Sequence, residues 1–290
     1  MDKPFASPPP LSTKPQTVLP EGACDAHVHL MAGPEDFPLW EGRTENPAKG
    51  FNFEDWIALY WEHLGALGLS RGVIVHSIFY GTDNALTLAT LEALGAGFAG
   101  VGLLSDGATR AEVAALAKAG VKAVRLNYVH GGVLSWDGAH RLAPLLADYG
   151  MHIQMLMHVD QHLDGLAKEI EDLPVPLVID HLGWPSAGLH PDGQGIDTAC
   201  ALMTAGHVYV KLSAPYRMAS APYATTSNLV RRYLDAAPER CLWGSDWPHV
   251  MLNGAEMPSA SELLDHLGAL STPTERQAIF VETPSTLFFT

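Results

Sequence analysis

The chain has 290 residues and a formal net charge of −15, which comes from 32 acidic and 17 basic residues. A negative field of this size repels phosphate backbones and anionic lipid, which argues against nucleic-acid and membrane partners. The first twenty residues lack the apolar core of a secretory signal, and no later stretch reaches the ~18 apolar residues of a membrane span. With three cysteines in no CxxC spacing, the sequence predicts a cytoplasmic protein without a disulfide framework.

After residues 1–20, which we expect to form an extended arm, short apolar runs alternate with helix-like stretches throughout residues 21–290. The runs are rich in Val, Ile and Leu, as in parallel strands buried on both faces. Eight strands are predicted, at Ala23–Leu30, Arg71–Ile78, Phe98–Leu104, Lys122–Val129, His152–His158, Leu177–His181, Val208–Ser213 and Cys241–Ser245. Each is followed by a predicted helix, and eight β/α repeats indicate a single (β/α)8 barrel domain.

Two histidines end the first strand, where catalytic groups of such barrels are found. The sequence there is Asp25-Ala-His27-Val-His29, and residues two apart on a strand share a face. Both imidazoles should therefore point into the barrel mouth, with Asp25 one layer deeper, in position to orient a histidine. Two converging imidazoles suit either a divalent metal or the polarisation of one carbonyl oxygen.

Two further strand ends carry polar groups. The sixth ends in Asp180-His181, a pair that is costly to bury without partners. The eighth ends in Trp-Gly-Ser-Asp246-Trp-Pro-His249, where we expect the tryptophans to form apolar walls that make the carboxylate a better base than one in water. We also expect His249 to hydrogen-bond Asp246.

These motifs, with Tyr80-Gly-Thr-Asp-Asn84, Val-Arg125-Leu-Asn127 and Ser-Ala-Pro-Tyr-Arg217, resemble the amidohydrolase-2 branch of the amidohydrolase superfamily. Within it they are most similar to the 2-pyrone-4,6-dicarboxylate lactonase group. The resemblance implies a distorted TIM-like (β/α)8 barrel and a hydrolase that opens a small carboxylated, sugar-derived or aromatic-derived lactone in catabolism. As our hypothesis, the catalytic residues are His27, His29, His181 and Asp246, and the substrate-binding residues are Tyr80, Arg125, Asn127, Trp184 and Arg217.

In the proposed reaction the three histidines stabilise the oxyanion that forms on the lactone carbonyl. Asp246 takes a proton from the attacking water and delivers it to the leaving ring oxygen. Arg125 and Arg217 hold a substrate carboxylate.

The resemblance also bears on metal content. Many superfamily members hold one or two divalent ions, with a lysine on strand 4 bridging the pair, whereas the lactonase group is thought to work without metal. Strand 4 has only Lys122, at its start, so a binuclear site is not expected and no metal is favoured. The alternative is a single Zn²⁺ or Mn²⁺ held by His27, His29, His181 and Asp246.

The chain departs from the lactonase pattern in its pocket. Gly131 and Trp184 stand where two more arginines are expected, Leu156 replaces a polar or aromatic residue, and Ile78 replaces a serine. These changes predict a lactone that is less charged than pyrone dicarboxylate and carries one acidic group. The segment Met31–Asn52 is a candidate active-site loop.

Three alternatives remain open on the same fold. They are a metal-dependent decarboxylase of an aromatic or unsaturated acid, a lactone isomerase, and a non-catalytic binding protein. The last has no reason to place three histidines and an acid at strand ends, but a fold alone does not exclude it.

Overall fold

Eight parallel strands form one sheet in the computed structural model, which describes residues 3–186, 193 and 195–290. The strands are β1 (Cys24–Val28), β2 (Arg71–Val75), β3 (Phe98–Gly102), β4 (Val121–Asn127), β5 (His152–Leu156), β6 (Leu177–Ile179), β7 (Val208–Lys211) and β8 (Cys241–Leu242). Helices α1 to α8 follow them in turn, at Phe53–Leu67, Ala85–Leu94, Arg110–Lys118, Trp136–Asp148, Val159–Glu171, Ile196–Ala205, Ser227–Ala236 and Ala260–Leu270. The predicted (β/α)8 barrel is confirmed.

Each strand ends two or three residues earlier than predicted. The chain leaves the hydrogen-bonded ladder where its polar end residues begin, and it forms short 3-10 helices at Ile78–Tyr80, His181–Gly183 and Pro215–Arg217. His27 lies on β1, and Arg125 and Asn127 lie on β4, whereas the other predicted site residues follow the strand ends, on turns just above the barrel.

Hydrogen bonds between β1 and the segment after β8 close the barrel. Ala26 N donates to the Trp243 carbonyl at 2.9 Å, and His29 N donates to the Trp247 carbonyl at 2.8 Å. Gly244 permits this contact, because a Cβ there would lie 2.5 Å from the Cβ of His27. The two chain segments that carry His27 and Asp246 are thus held side by side.

The lower barrel interior is filled by small apolar side chains, and the last residues of the chain close it. Three unpredicted helical segments follow α8, at Pro273–Gln277, Ala278–Glu282 and Thr283–Phe288. Leu287 and Phe288 from the last of these pack on the interior cluster, which includes Cys24, Ala26, Val73, Val75, Val101, Ala123, Val178 and Leu242. With the lower end packed, the carboxyl ends of the strands are the open side for chemistry.

The chain before β1 lies along the outside of the barrel; its residues 1 and 2 are outside the described part. Ala6 N donates to the Asn46 carbonyl at 2.8 Å, Thr13 Oγ1 is 2.7 Å from Ser261 Oγ, and Thr17 N donates to Asp265 at 2.7 Å. All three cysteines are free thiols. Among the described residues, no helix is both long and apolar enough to cross a membrane.

His152, at the start of β5, makes folding sensitive to acid. Its Nε2 has no hydrogen-bond partner among the described residues, and its ring packs on Phe288. Burial, with help from the charges of Lys211 and Lys122, lowers the pKa of His152 to about 3. The unfolded chain binds the proton near its ordinary pKa of about 6.5, so the folded state loses stability as the pH falls from that value towards 3.

When the pH falls from 6.5 to 4.5, we expect the free energy of unfolding to decrease by about 2 kcal/mol more in wild type than in His152→Leu. Urea unfolding at the two pH values measures this difference. His140→Leu is the matched control, because that histidine is exposed on α4. An equal acid dependence in wild type and His152→Leu would show that the pKa of His152 is the same in the folded and the unfolded chain.

Candidate active site

Left-handed backbone occurs at the ends of three strands above the barrel. His181 after β6 has φ 54°, Ala214 after β7 has φ 50° and Asp246 after β8 has φ 60°. Such conformations cost residues with a Cβ about 1–3 kcal/mol each and persist where the surrounding structure enforces them, commonly at active sites. Two of these three residues are the ones that the sequence selected as catalytic.

The four predicted catalytic side chains converge at one point. The Nε2 atoms of His27 and His29 lie 3.2 Å apart, and each is 3.6 Å from Asp246 Oδ1. His181 Nε2 is 3.9 Å from the same oxygen. All four residues are buried, His29 most exposed at 7%. Three imidazole nitrogens and one carboxylate oxygen therefore face one another at separations of 3.2–3.9 Å.

Hydrogen bonds at the outer ring nitrogens orient two of these imidazoles. His29 Nδ1 lies 2.8 Å from the Val75 carbonyl, which can only accept, so Nδ1 carries the proton and Nε2 presents a lone pair to the site. His181 Nδ1 is 2.9 Å from Ser213 Oγ. Burial lowers the pKa of His181 to about 4 and that of His27 well below 6.5, so these rings are neutral near pH 7.

Asp246 is an ionised carboxylate with two different faces. Its Oδ2 accepts a hydrogen bond from Tyr216 OH at 2.5 Å and another from Arg217 Nη2 at 2.9 Å, while Oδ1 faces the histidines. Burial alone would raise the pKa of Asp246, but His181 and Arg217 outweigh burial and hold it well below its ordinary value. The expectation that apolar walls make Asp246 a better base than a carboxylate in water is therefore wrong.

The tryptophan that follows Asp246 in the sequence packs on helix α1. Trp247 packs on Trp56 and Tyr60 of α1, with ring centroids 5.6 and 5.9 Å away. His249 hydrogen-bonds Asp246 as predicted, but through the backbone: its N–H donates to the Asp246 carbonyl at 2.9 Å, and both ring nitrogens lack hydrogen-bond partners among the described residues. Arg217 and Tyr216, rather than the tryptophans, set the environment of the carboxylate.

A buried polar layer lies directly beneath the histidines, and sequence reasoning missed two of its four members, Gln154 and Lys211. Asp180 Oδ2 accepts from Arg125 Nε at 3.2 Å and from Gln154 Nε2 at 3.0 Å. Lys211, fully buried on β7, donates from Nζ to Gln154 Oε1 at 2.7 Å and lies 3.2 Å from His27 Nδ1. The alternation of side chains gave a signal, because Lys211 lies two residues before Ser213 on an otherwise apolar strand.

Asp25 does not face the site, contrary to its predicted place beneath the histidines. It pairs in register with Gly72 of β2, and paired residues share a face of the sheet. A Cβ on Gly72 would lie 2.1 Å from the hydroxyl of Tyr60 on α1, so this face points outward, towards the helices. The register of β1 shifts between Asp25 and Val28, which changes the alternation before His27. Asp25 instead accepts hydrogen bonds from the backbone N–H groups of His27 and Ser245, joining β1 to the segment after β8.

A cavity of about 30 Å³ lies above the catalytic cluster. This volume holds one or two waters and is smaller than a lactone, so substrate binding requires side chains or loops to move. Arg125, Asn127 and Arg217 of the predicted substrate-binding set line it, together with His29, Ser77, Ile78, His130, Leu156, His181, Asp246, Val250 and Met251.

Tyr80 and Trp184, the other two predicted substrate-binding residues, are not among the lining residues. The Tyr80 hydroxyl bonds to the backbone carbonyl and N–H of Ala32, at 2.7 and 2.8 Å, and so ties the loop after β1 to the barrel. The ring of Trp184 lies 5.2 Å from the guanidinium of Arg217.

The cavity is covered by the chain that follows Asp246. Arg217 donates to the carbonyls of Val250 and Met251, each at 3.2 Å, and Glu45 accepts from Met251 N at 2.8 Å. Glu45 belongs to the candidate loop 31–52, so this loop holds the covering segment in place.

The described residues include two groups whose ligand atoms lie close enough together for a metal ion: His27, His29 and Asp246, and His27, Asp180 and His181. For the first group, tetrahedral coordination at zinc–ligand distances of about 2.0–2.1 Å requires ligand atoms about 3.3–3.4 Å apart. The observed separations of 3.2 and 3.6 Å fit that requirement. These side chains can therefore serve as ligands to a divalent ion.

A barrel with histidines and an acid at the ends of strands 1, 6 and 8 is the architecture of a hydrolase site. The amidohydrolase family model matches residues 24–290, and the chain belongs to that family. A 4-sulfomuconolactone hydrolase of Hydrogenophaga intermedia is 30% identical over 93% of this chain and 90% of its own length. A 2-pyrone-4,6-dicarboxylate hydrolase of Comamonas testosteroni is 28% identical over 96% of this chain and 93% of its own length.

The fold has a close match among solved structures. A crystal structure of an Agrobacterium tumefaciens protein superposes with a TM-score of 0.81, at 24% identity, and covers 97% of this chain and 99% of the other. At this identity the likeness bears on the fold alone. The predicted resemblance to the lactonase group is confirmed by the curated relatives.

Proposed function

We propose that this protein hydrolyses a small lactone that carries one acidic group. The observation that carries the proposal is the convergence of three imidazole Nε2 atoms on Asp246 Oδ1, within 3.6–3.9 Å. Curated relatives that span the whole barrel are hydrolases of sulfomuconolactone and pyrone dicarboxylate, which supports ring opening as the reaction. The free thiols are compatible with the predicted cytoplasmic location, which stays a proposal.

The hydrogen bonds assign different tasks to the groups in the cluster. His29 cannot donate from Nε2 while neutral, because its proton lies on Nδ1 at the Val75 carbonyl. Its lone pair and Asp246 Oδ1 instead accept hydrogen bonds from the attacking water, and Asp246 takes one proton as the water oxygen bonds to the carbonyl carbon. His27 and His181 are left to donate to the lactone carbonyl oxygen as negative charge develops there. Asp246 then passes its proton to the leaving ring oxygen.

The charges around the cavity suit a monoanion. Arg125 and Lys211 share the single carboxylate of Asp180, whereas Arg217 is matched by Asp246. The side chains that line the cavity therefore include two arginines and one carboxylate. Ile78, Leu156, Val250 and Met251 supply apolar walls for the remainder of the ring.

If a divalent ion binds, His27, His29 and Asp246 are its ligands, with His181 adjacent. Such an ion would polarise the carbonyl and lower the pKa of bound water towards about 7. We favour the scheme in which the side chains act alone, with Zn²⁺ or Mn²⁺ as the alternative.

A panel of neutral, monoacidic and diacidic lactones, assayed before and after chelation, tests the proposal. Metal content is measured by mass spectrometry, and products are identified by NMR. We expect the highest kcat/KM for a monoacidic lactone and retention of that activity after chelation. Loss of carbon dioxide from an acid, or an isomerised lactone as the product, would replace hydrolysis with one of the alternative reactions.

A further inference from the structure

Lys211 is the least expected charge near the reaction centre. It points into the barrel from β7 with no exposed surface, and its Nζ lies 3.2 Å from His27 Nδ1. Gln154 Oε1, at 2.7 Å, and Asp180 Oδ1, at 3.5 Å, are its other partners. An ammonium group has three donors and no acceptor, so every partner of Nζ must accept.

This contact decides which nitrogen of His27 carries the proton. If Lys211 donates to Nδ1, that atom must present a lone pair, and a neutral His27 then has its proton on Nε2. Asp180 Oδ1 competes for the opposite arrangement, because it lies 3.3 Å from Nδ1 and could accept a proton from it. The 3.2 Å contact between His27 Nε2 and His29 Nε2 favours the first arrangement, because the ring proton of His29 lies on Nδ1 at the Val75 carbonyl and its Nε2 can only accept.

We infer that Lys211 is a positioning residue that holds His27 as the Nε2–H tautomer. The consequence of this tautomer for catalysis rests on the proposed function. His27 then directs an N–H donor at the lactone carbonyl, whereas His29 presents a lone pair. The 3.2 Å separation of the two Nε2 atoms fits a hydrogen bond from His27 to His29 when no substrate is bound.

The contact between Lys211 Nζ and His27 Nδ1 also opposes metal binding. A metal ion needs a lone pair on His27 Nε2, so the proton would have to move to Nδ1, against the ammonium of Lys211. Without that ammonium, Nδ1–H would face Asp180, which is the carboxylate–histidine arrangement commonly found behind metal ligands. Lys211 thus favours the donor role of His27 over its ligand role.

The first test measures the tautomer in the wild-type protein. ¹⁵N NMR of the chelated protein distinguishes protonated from bare ring nitrogens, and His27→Asn identifies the His27 signals. We expect Nε2 to be protonated and Nδ1 bare. A proton on Nδ1 of His27 in the metal-free protein would overturn the inference, and no lactone is needed for this result.

The second test replaces the ammonium by an unbranched apolar side chain. We expect Lys211→Met to bind Zn²⁺ about 10–100-fold more tightly than wild type by calorimetry, the range by which groups behind metal ligands affect affinity. We also expect a lower kcat for lactone in the chelated variant, with KM little changed. Lys168→Met, at an exposed ion pair on α5, is the control for loss of a lysine.

An unchanged or weaker zinc affinity in Lys211→Met would contradict the role of Lys211. Failure of the lactone panel combined with an Nε2–H tautomer in wild type would overturn the proposed substrate and leave the tautomer assignment standing. The two proposals are therefore separable.

Discussion

Asp246→Asn should lower kcat for lactone opening by about 10²–10⁴-fold, the range for loss of a general base. The amide is similar in size to the carboxylate and can still accept from Tyr216 and Arg217 through one oxygen. It cannot take a proton from water at the position facing the three histidines. We therefore expect KM to change much less than kcat, because the substitution removes an interaction needed mainly in the transition state.

Asp106→Asn makes the same chemical change outside the cluster, at an exposed turn where Asp106 accepts from Ser135. Its steady-state parameters should match those of wild type. Thermal unfolding of both variants checks that the barrel is intact. If Asp246→Asn keeps more than a tenth of the wild-type kcat, another group or a bound hydroxide is the base.

The low pKa of Asp246 does not conflict with this role. Arg217 and Tyr216 bind Oδ2, so they stabilise the ionised form that must be present before water binds. The cost is a weaker base, and the oxyanion donors must supply the remaining driving force. The sequence motif identified the carboxylate but could not indicate its basicity, because both partners come from the turn after β7, thirty residues earlier.

The fold was predictable because it depends on local pattern. Apolar runs separated by amphipathic stretches gave all eight strands, and the polar ends of strands 1, 6 and 8 gave the catalytic cluster. The strand ends were placed too late, because the pattern of apolar residues does not show where the chain leaves the hydrogen-bonded ladder of the sheet. Asp25 was assigned to the wrong face because a register shift in β1 breaks the alternation, and no residue type marks that shift.

The link between the members of the polar layer below the site was missed for a different reason, although Arg125 and Asp180 had each been singled out. Its members lie on β4, β5 and β7 or directly after β6, and none of them points to the others in the sequence: Arg125, Gln154, Asp180 and Lys211. Their relation appears only when the strands are placed side by side, so that inward positions at one height meet. Lys211 carried a signal in its inward position on an apolar strand, but its partner His27 is 184 residues away.

Asp180→Asn should reduce the free energy of unfolding by about 3–5 kcal/mol, the range for removing one partner of a buried ion pair. The carboxylate has no exposed surface, and Arg125 and Lys211 both depend on it. The two cations should respond differently, because a buried lysine can release its proton whereas an arginine cannot. Burial already lowers the pKa of Lys211 to about 8, with Asp180 opposing that shift.

A pair of double-mutant cycles measures this difference by urea unfolding at pH 7. In the Asp180→Asn background, Arg125→Met should recover more stability than Lys211→Met, since it removes the charge that cannot be neutralised. Each coupling energy should fall within about 0.5–3 kcal/mol, as for residues that share one network. Equal recovery by both substitutions would mean that Lys211 stays charged without Asp180. In that case Gln154 and His27 alone would be enough to hold the buried ammonium.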